Sequence, residues 1–455
     1  MTDTPGPEKP RRRRRRRRRR TTLDQPVLEF QEQAPAAPAA DGETPAAPEG
    51  GRRRRRRRRR RGGGAPAEAL PAEAVPGDAA AREKRELRGI FEGRKDGVGF
   101  LRQPAAQLEP RPDDPAVPLK LVRRFQLKTG SEVEGLGFAN GKAPRLEEIL
   151  RIDGLDVREA RTRRSFKKLR VIDPDFHYEL GGHPQEGQIS MRILDLLCPI
   201  GRGQRGLLVA PPRSGKTTIL QQIARAMEAL YPDVHLIVLL VDERPEEATY
   251  WRRSVQKGEV YCSTLDQGPK SHVRLAEMVQ ARAERLVEAG REVIILLDSI
   301  TRLARAYNNV LGSSGKTMSG GLDARTMARP KQFFGAARNT EDAGSLTILA
   351  TCLVDTGSRM DQVIFEEFKG TGNMELVLDR RLADRRIFPA IAVDKSGTRK
   401  EELLRSRAAM RRITILRRVL SRMRPFEAIE LLVDRLGRFE SNQDFLNAFS
   451  MDDVA

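Results

Sequence analysis

The chain has 455 residues, a formal net charge of +21 and 38% apolar residues. That length excludes a mini-protein and allows roughly two or three domains of about 100–200 residues each. Residues 11–20 and 52–61 are unbroken arginine, so the other 64 basic residues almost balance 63 acids. The balance is uneven in space: residues 1–81 carry +10 and the remainder +11, which favours an anionic partner, nucleic acid first. No run approaches the ~18 apolar residues of a spanning helix, and no apolar stretch backs the N-terminal arginines as a secretory signal requires. Cys198, Cys262 and Cys352 are odd in number and widely separated, without metal or disulfide spacing. A soluble, reducing, cytoplasmic setting is expected, with no membrane partner.

Residues 1–83 are Ala, Pro, Gly, Glu and Arg with few large apolar side chains. Such a segment buries too little surface to offset chain entropy and is expected to be disordered. It is either a phosphate-seeking electrostatic arm or a solubilising tail. Residues 84–155 read as short strands broken by Gly, Pro, Asp and Asn: around Gly89, then 97–102, 118–127, 131–137 and 146–152. Five short strands in about 70 residues suggest a small barrel of OB-fold type. A connector, 156–188, carries Arg161, Arg163, Arg164, Lys167 and Lys168.

From 189 to 455 apolar strands alternate with amphipathic helices. Residues 207–210, 236–241, 293–297 and 346–353 are continuous apolar runs, as expected for strands covered on both faces. Residues 217–230 and 271–289 place apolar side chains at helical spacing. This order predicts an α/β domain built on a parallel sheet.

Residues 211–218, Pro-Pro-Arg-Ser-Gly-Lys-Thr-Thr, follow a strand and open a helix. Backbone N–H groups at a helix N-terminus face an anion there. Lys216 would reach the outer phosphates and the Thr217 hydroxyl would sit on Mg²⁺. Ala210 stands where the strict pattern has Gly. A second string, Gly312-Ser-Ser-Gly-Lys-Thr317, has no strand before it and Gly320-Gly321 behind it, and reads as a loop exposing Lys316. Asp298 ends an apolar run, as an acid serving Mg²⁺ would. Asp242 or Glu243, ending another, could deprotonate the attacking water; the residues alone leave that choice open.

The segments Gly201-Arg-Gly-Gln-Arg-Gly206, 210–217, 241–247, 297–307, 365–375, 388–391 and 396–402 together resemble the Rho family of bacterial transcription termination factors. The resemblance spans roughly 84–455 and is densest over 190–405. It implies a homohexameric RecA-like ring ATPase that moves along single-stranded RNA, the nascent transcript, and dislodges it from RNA polymerase. It assigns Lys216, Glu243 and Asp298 to hydrolysis, with Glu243 activating water and Thr217 and Asp298 serving Mg²⁺. Arg399 matches a finger supplied by the neighbouring subunit, and Arg386 a second interface arginine. For ATP it implies Gly201, Arg202, Gly203, Gln204, Arg205 and Gly206, then Arg213, Ser214, Gly215, Lys216, Thr217 and Thr218, with Arg244 and with Phe388 against adenine. For RNA it implies Gly97, Val98, Gly99, Phe100, Leu101, Arg102 and Arg145 in the barrel, and Lys316 and Arg359 in pore loops near 311–323 and 355–369.

The barrel departs from the family. Val98, Ala116 and Leu146 stand where aromatics are usual, so weaker base stacking and greater reliance on phosphate contacts are expected. Two other readings compete: a ring ATPase of the same core without RNA coupling, and an inert RNA-binding scaffold. Lys216, Thr217, Glu243, Asp298 and Arg399 together argue against the scaffold; the barrel with Phe100 and Arg102 argues against the RNA-free ATPase.

Overall fold

The computed structural model describes residues 1–2, 84–138, 144–184, 187–311, 321–322 and 325–448. The arginine-rich segment 1–83 and the loop bearing Lys316 lie almost wholly outside the described residues, and Lys316 itself does.

The first layer is a closed five-stranded barrel: β1 (Arg85–Gly93), β2 (Gly99–Arg102), β3 (Ala116–Val117), β4 (Glu132–Phe138) and β5 (Arg145–Ile152). β1 pairs with β2 and β4, β2 with β3, and β5 with both β4 and β3, which closes the sheet. Along β4 every second residue is buried, so Val133, Gly135 and Gly137 face inward. Phe91, Leu101, Val117, Val133, Leu146, Ile149 and Ile152 fill the interior.

One expected strand is a helix. Residues 118–127 hold α1 (Leu119–Phe125), whose start follows the extended Pro118 and whose end is the left-handed Gln126. Leu119, Val122 and Phe125 recur at a helical interval of three, with Leu121 buried, and only Val122 is β-branched. That pattern suits a helix better than a strand. The third barrel strand is instead the two-residue β3.

The second layer is a mostly parallel seven-stranded sheet. Its members are β6 (Arg205–Ala210), β7 (His235–Glu243), β8 (Glu259–Thr264), β9 (Glu292–Asp298), β10 (Ser345–Leu353), β11 (Met374–Val377) and β12 (Gly397–Thr398). Their order is β8-β7-β9-β10-β6-β11-β12, with only β12 antiparallel. The apolar runs are continuous because each strand feeds two cores. Leu208, Val238, Leu240, Ile294 and Leu296 face one cluster; Leu207, Val209, Ile237, Leu239, Ile295 and Leu297 face the other. Truncating any one of these leucines or isoleucines to Ala costs about 2–5 kcal/mol.

The helices that matter for the site are α2 (Lys216–Leu230), α3 (Pro245–Ser254), α4 (Pro269–Glu288), α5 (Ile300–Leu311) and α6 (Arg359–Lys369). Among the described residues no helix is long and apolar enough to cross a membrane. The three cysteines are free and buried.

The barrel is seated on α4. Gly130 lies at φ +92, and a Cβ there would meet the Ala281 backbone at 2.2 Å, so only glycine allows this approach. Arg274 donates to Glu92 at 2.8 Å, Arg282 to Glu132 at 2.8 Å, and Lys128 to Glu288 at 3.2 Å. The basic connector is partly consumed here. Arg163 pairs with Asp153 at 2.6 Å, Arg164 with Asp342 at 2.6 Å, while Arg161, Lys167 and Lys168 stay exposed.

Candidate nucleotide and RNA sites

In a parallel sheet the strand ends that carry ligands are the C-terminal ones. β6 ends at Ala210, β7 at Glu243 and β9 at Asp298, so three separate sequence motifs arrive at one edge. The loop after β6 turns through Arg213 at φ +64 and Gly215 at φ +91. The Ser214 hydroxyl donates to the Pro211 carbonyl at 2.7 Å, fixing the loop from within. α2 then begins at Lys216, its first N–H groups directed into the loop. Thr217 is partly buried there and Thr218 is exposed.

Lys216 Nζ donates to both oxygens of Asp298, at 2.8 and 2.7 Å, and lies 3.5 Å from Glu243 Oε1. Burial pulls its pKa down, but Asp298 and Glu243 outweigh that and raise it. Glu243 is buried, and desolvation first, then the Asp298 charge, pushes its pKa up to about 7. Lys216 and Arg302 oppose that rise. Glu243 Oε1 has no hydrogen-bond partner although it is buried, and oxygens of Glu243, Glu247 and Asp298 gather within 4.8 Å. A carboxylate oxygen held only by the ion pairs with Lys216 and Arg302, beside two further acids and the Thr217 hydroxyl, suits a hard divalent cation.

A β-bulge sends Asp242 and Glu243 in different directions. Pairing between β7 and β8 shifts register between Val241 and Glu243, and Asp242 takes φ +56. The extra residue turns Asp242 toward His272 and Arg302, each at 3.9 Å, and aims Glu243 into the site.

Three participants carried no expectation from the sequence. Arg302 on α5 reaches Glu243 at 3.3 Å. Glu247, in the first turn of α3, joins the acid cluster. Thr351, buried on β10, donates to Asp298 Oδ1 at 2.6 Å. For Glu247 no spacing signal existed, since Glu243 ends β7 and the helix begins only at Pro245. Thr351 had none, because only the β9–β10 register brings it to Asp298.

Other expected nucleotide residues fall into two groups. Phe388 is 52% exposed, and its ring edge lies 4.0 Å from where a Gly215 Cβ would sit, so an aromatic face stands open beside the phosphate loop. Arg244 is exposed at the start of α3, and Arg386 is exposed after the short helix Arg380–Asp384.

Residues 201–206 are not brought to this edge. Residues 201–204 precede β6 and Arg205 and Gly206 open it, at the opposite end of the sheet, where Arg202 pairs with Glu292, the first residue of β9, at 2.8 Å. Gln204 donates to Asn373 at 2.6 Å, Gly203 N to Thr347 at 2.8 Å, and Arg205 to the carbonyls of Thr371 and Ala337. Gly201 and Gly206 are buried against neighbouring side chains. Within the chain these contacts tie the six residues to the start of β10 and to the segment before β11. Arg399 lies at this same far end: its N–H donates to Asn373 O, level with Arg205. At about 3.3 Å per residue, five residues of β6 separate it by roughly 17 Å from its own phosphate loop.

In the barrel, Gly97 at φ +85 and Val98 form the β1–β2 turn, Gly99 abuts the Phe91 ring, and Leu101 is core. Phe100 is outward and partly exposed, flanked by Arg94 at 4.7 Å and Arg102 at 5.0 Å. Arg102, expected to meet RNA, is instead 3% exposed and paired with Glu92 and Asp114. Its charge is spent on two carboxylates, so it positions Phe100. Arg145 is exposed at the start of β5, while Leu146 is core. Arg359 is exposed at the start of α6, whose first turn is held by Asp361 receiving Arg305 and Thr356.

A phosphate loop, an acid pair and an activated carboxylate at one sheet edge, preceded by a small barrel, define a RecA-like P-loop ATPase with an N-terminal nucleic-acid-binding domain. Residues 190–398 match the ATP synthase alpha/beta family, nucleotide-binding domain, and residues 87–160 match the Rho termination factor, RNA-binding domain. The chain is 51% identical over 366 residues to transcription termination factor Rho of Cereibacter sphaeroides, covering 80% of this chain and 86% of that one. It is 49% identical to that of Pseudomonas aeruginosa (79% and 87% covered) and 48% identical to that of Aquifex aeolicus (80% and 84%). A prototypical ATPase from a type III secretion system shares the fold, at TM-score 0.50 and 22% identity over 70% of this chain and 89% of its own. The chain belongs to the Rho family of transcription termination factors, and it is an ATP-hydrolysing enzyme with an RNA-binding domain.

Proposed function

We propose that this chain is an RNA-dependent ATPase and RNA/DNA helicase-translocase. It engages nascent transcripts and terminates transcription by dislodging RNA from RNA polymerase, as a cytoplasmic homohexamer. The carrying observation is the joined pair of devices: the Lys216–Glu243–Asp298 cluster and, in the same chain, an outward Phe100 and Arg145 on a barrel of the family's RNA-binding type. Residues 1–83 are assigned to an electrostatic arm, 84–155 to RNA capture, 156–188 to a connector and 189–455 to the motor.

Phosphates entering the loop compete with Asp298 for Lys216 and free that carboxylate. Thr217 and Asp298 would hold Mg²⁺, with Glu247 beside them. That ion supplies charge neutralisation on the outer phosphates. Glu243, with its raised pKa and an oxygen that makes no hydrogen bond, orients the attacking water and takes its proton. Arg213 to Thr218 cradle the phosphates and Phe388 stacks on adenine. Arg399, out of reach of its own loop, completes the site of a neighbouring subunit, with Arg386 at the same interface. Such an arginine is worth about 10³–10⁵ in turnover.

Coupling to RNA runs along β10. Thr351 holds Asp298, Thr301 Oγ1 accepts from Leu353 N at 2.9 Å, and the strand leads into the loop before Arg359. Arg359 and Lys316 would grip RNA in the ring's pore. The test is ATP hydrolysis with single-stranded polypyrimidine RNA, other RNA, DNA or none. Stimulation by single-stranded RNA is expected; equal rates in all four would remove the RNA-motor reading and favour an uncoupled ring ATPase.

A further inference from the structure

We infer that Phe138 is a base-stacking platform of the barrel, standing in for the aromatics that positions 98, 116 and 146 lack. The inference rests on the RNA-binding reading above and names a residue for it. Strand register places Phe138 opposite Arg145, Arg145 opposite Ala116, and Ala116 opposite Phe100. Directly opposed residues share a face of the sheet. The row β4-β5-β3-β2 therefore presents Phe138, Arg145, Ala116 and Phe100 side by side on the outer surface.

Burial agrees with that placement. The inward neighbours Gly137, Leu146, Val117 and Leu101 are buried, whereas Phe138, Ala116 and Phe100 are partly exposed and Arg145 is exposed. Phe138 is also absent from the apolar side chains packed on the barrel core. At about 4.8 Å per strand step, the two phenyl rings are anchored roughly 14 Å apart. Arg145 and the Ala116 methyl form a low floor between them.

The two rings differ in what already covers them. Phe100 has guanidinium groups of Arg94 and Arg102 against it, so a base must displace or stack beyond Arg94. Among the described residues Phe138 has neither a ring nor a cation partner. Among the described residues nothing covers its face with a ring or cation, and the adjacent Arg145 supplies a phosphate contact. A single-stranded nucleic acid crossing this row stacks one base on Phe138, passes its backbone over Arg145, and reaches Phe100 across the Ala116 gap. Base–aromatic stacking needs no particular sequence.

The test uses the full chain without nucleotide and a short fluorescein-labelled oligocytidine, read by anisotropy across a salt series. Phe138→Ala and Phe138→Leu are expected to weaken binding about 5- to 150-fold, the equivalent of about 1–3 kcal/mol for one stacked base. Phe138→Trp restores it, and the salt slope stays unchanged. Leu keeps apolar bulk without a π face, so it separates stacking from packing, and thermal melting of each variant confirms an intact fold. Binding by Phe138→Leu within twofold of the parent overturns the inference. If the parent fails to bind the oligonucleotide at all, the RNA-binding reading falls first and takes this one with it.

Discussion

Replacing Arg102 with Met separates a structural arginine from an RNA-contacting one. The guanidinium lies between Glu92 and Asp114, and Asp114 is 1% exposed with one oxygen already lacking a partner. Burial pushes Glu92 up, yet hydrogen bonds from Arg274 and Arg102 outweigh it and hold its pKa below the usual range. Removing one partner of a buried pair costs about 3–5 kcal/mol. Glu92 keeps Arg274, so the lower end, about 3 kcal/mol, is expected. Hydrogen exchange at the Phe91 and Leu101 amides reads the local opening free energy. Arg102→Met with Asp114→Asn should recover most of the loss, because no uncompensated carboxylate remains. RNA affinity below the melting range should fall only through a displaced Phe100, with an unchanged salt slope. A stability change under about 1 kcal/mol would refute this reasoning if the log-affinity slope also dropped by about 0.7, the value for one lost phosphate contact to a single strand.

Three further perturbations follow from the site. The pKa of Glu243 is raised, so its ionised form destabilises the fold above about pH 7 and is absent below the ordinary carboxylate range. The melting advantage of Glu243→Gln over the parent should therefore grow as pH climbs through about 7, and parental kcat/KM should rise over the same window; a pH-independent difference would contradict the assignment. Arg399→Ala should lose about 10³-fold in turnover while ATP binding persists, and mixing it with Glu243→Gln subunits should restore part of the rate; no restoration would place the arginine in its own chain's site. Thr351→Val removes the hydrogen bond to Asp298, and RNA stimulation of hydrolysis should fall about tenfold with nucleotide binding kept, as loss of a bond to a charged group implies. Undiminished stimulation would show that β10 does not carry the coupling.

Much of the core was legible because its signals are local. Apolar runs marked β6, β7, β9 and β10, and the phosphate loop is a contiguous string after one of them. β8, a short edge strand of mixed polarity, had no such run. Residues 118–127 misled because a short apolar-rich stretch after proline fits either period; the isolation of Val122 as a β-branched residue was the available hint. Functional geometry was harder, since it depends on which end of the sheet a residue reaches. Residues 201–206 sit beside the phosphate loop in sequence but across the sheet in space, because a full strand intervenes. A one-residue bulge points Asp242 and Glu243 in different directions, and no spacing rule reports a bulge. Arg102 looked like an RNA contact until Asp114, twelve residues away, neutralised it. Phe138 carries no sequence signal, because only strand register puts it on the same face as Phe100.

The central claim is that hydrolysis at the Lys216–Glu243–Asp298 site drives release of RNA. It is tested most directly on a stalled transcription elongation complex carrying a long unstructured transcript, with released RNA quantified after ATP is added. The parent chain should release the transcript with ATP, and Glu243→Gln should bind both ATP and RNA without releasing it. Release by Glu243→Gln at the parental rate, or by the parent without ATP, would contradict the account.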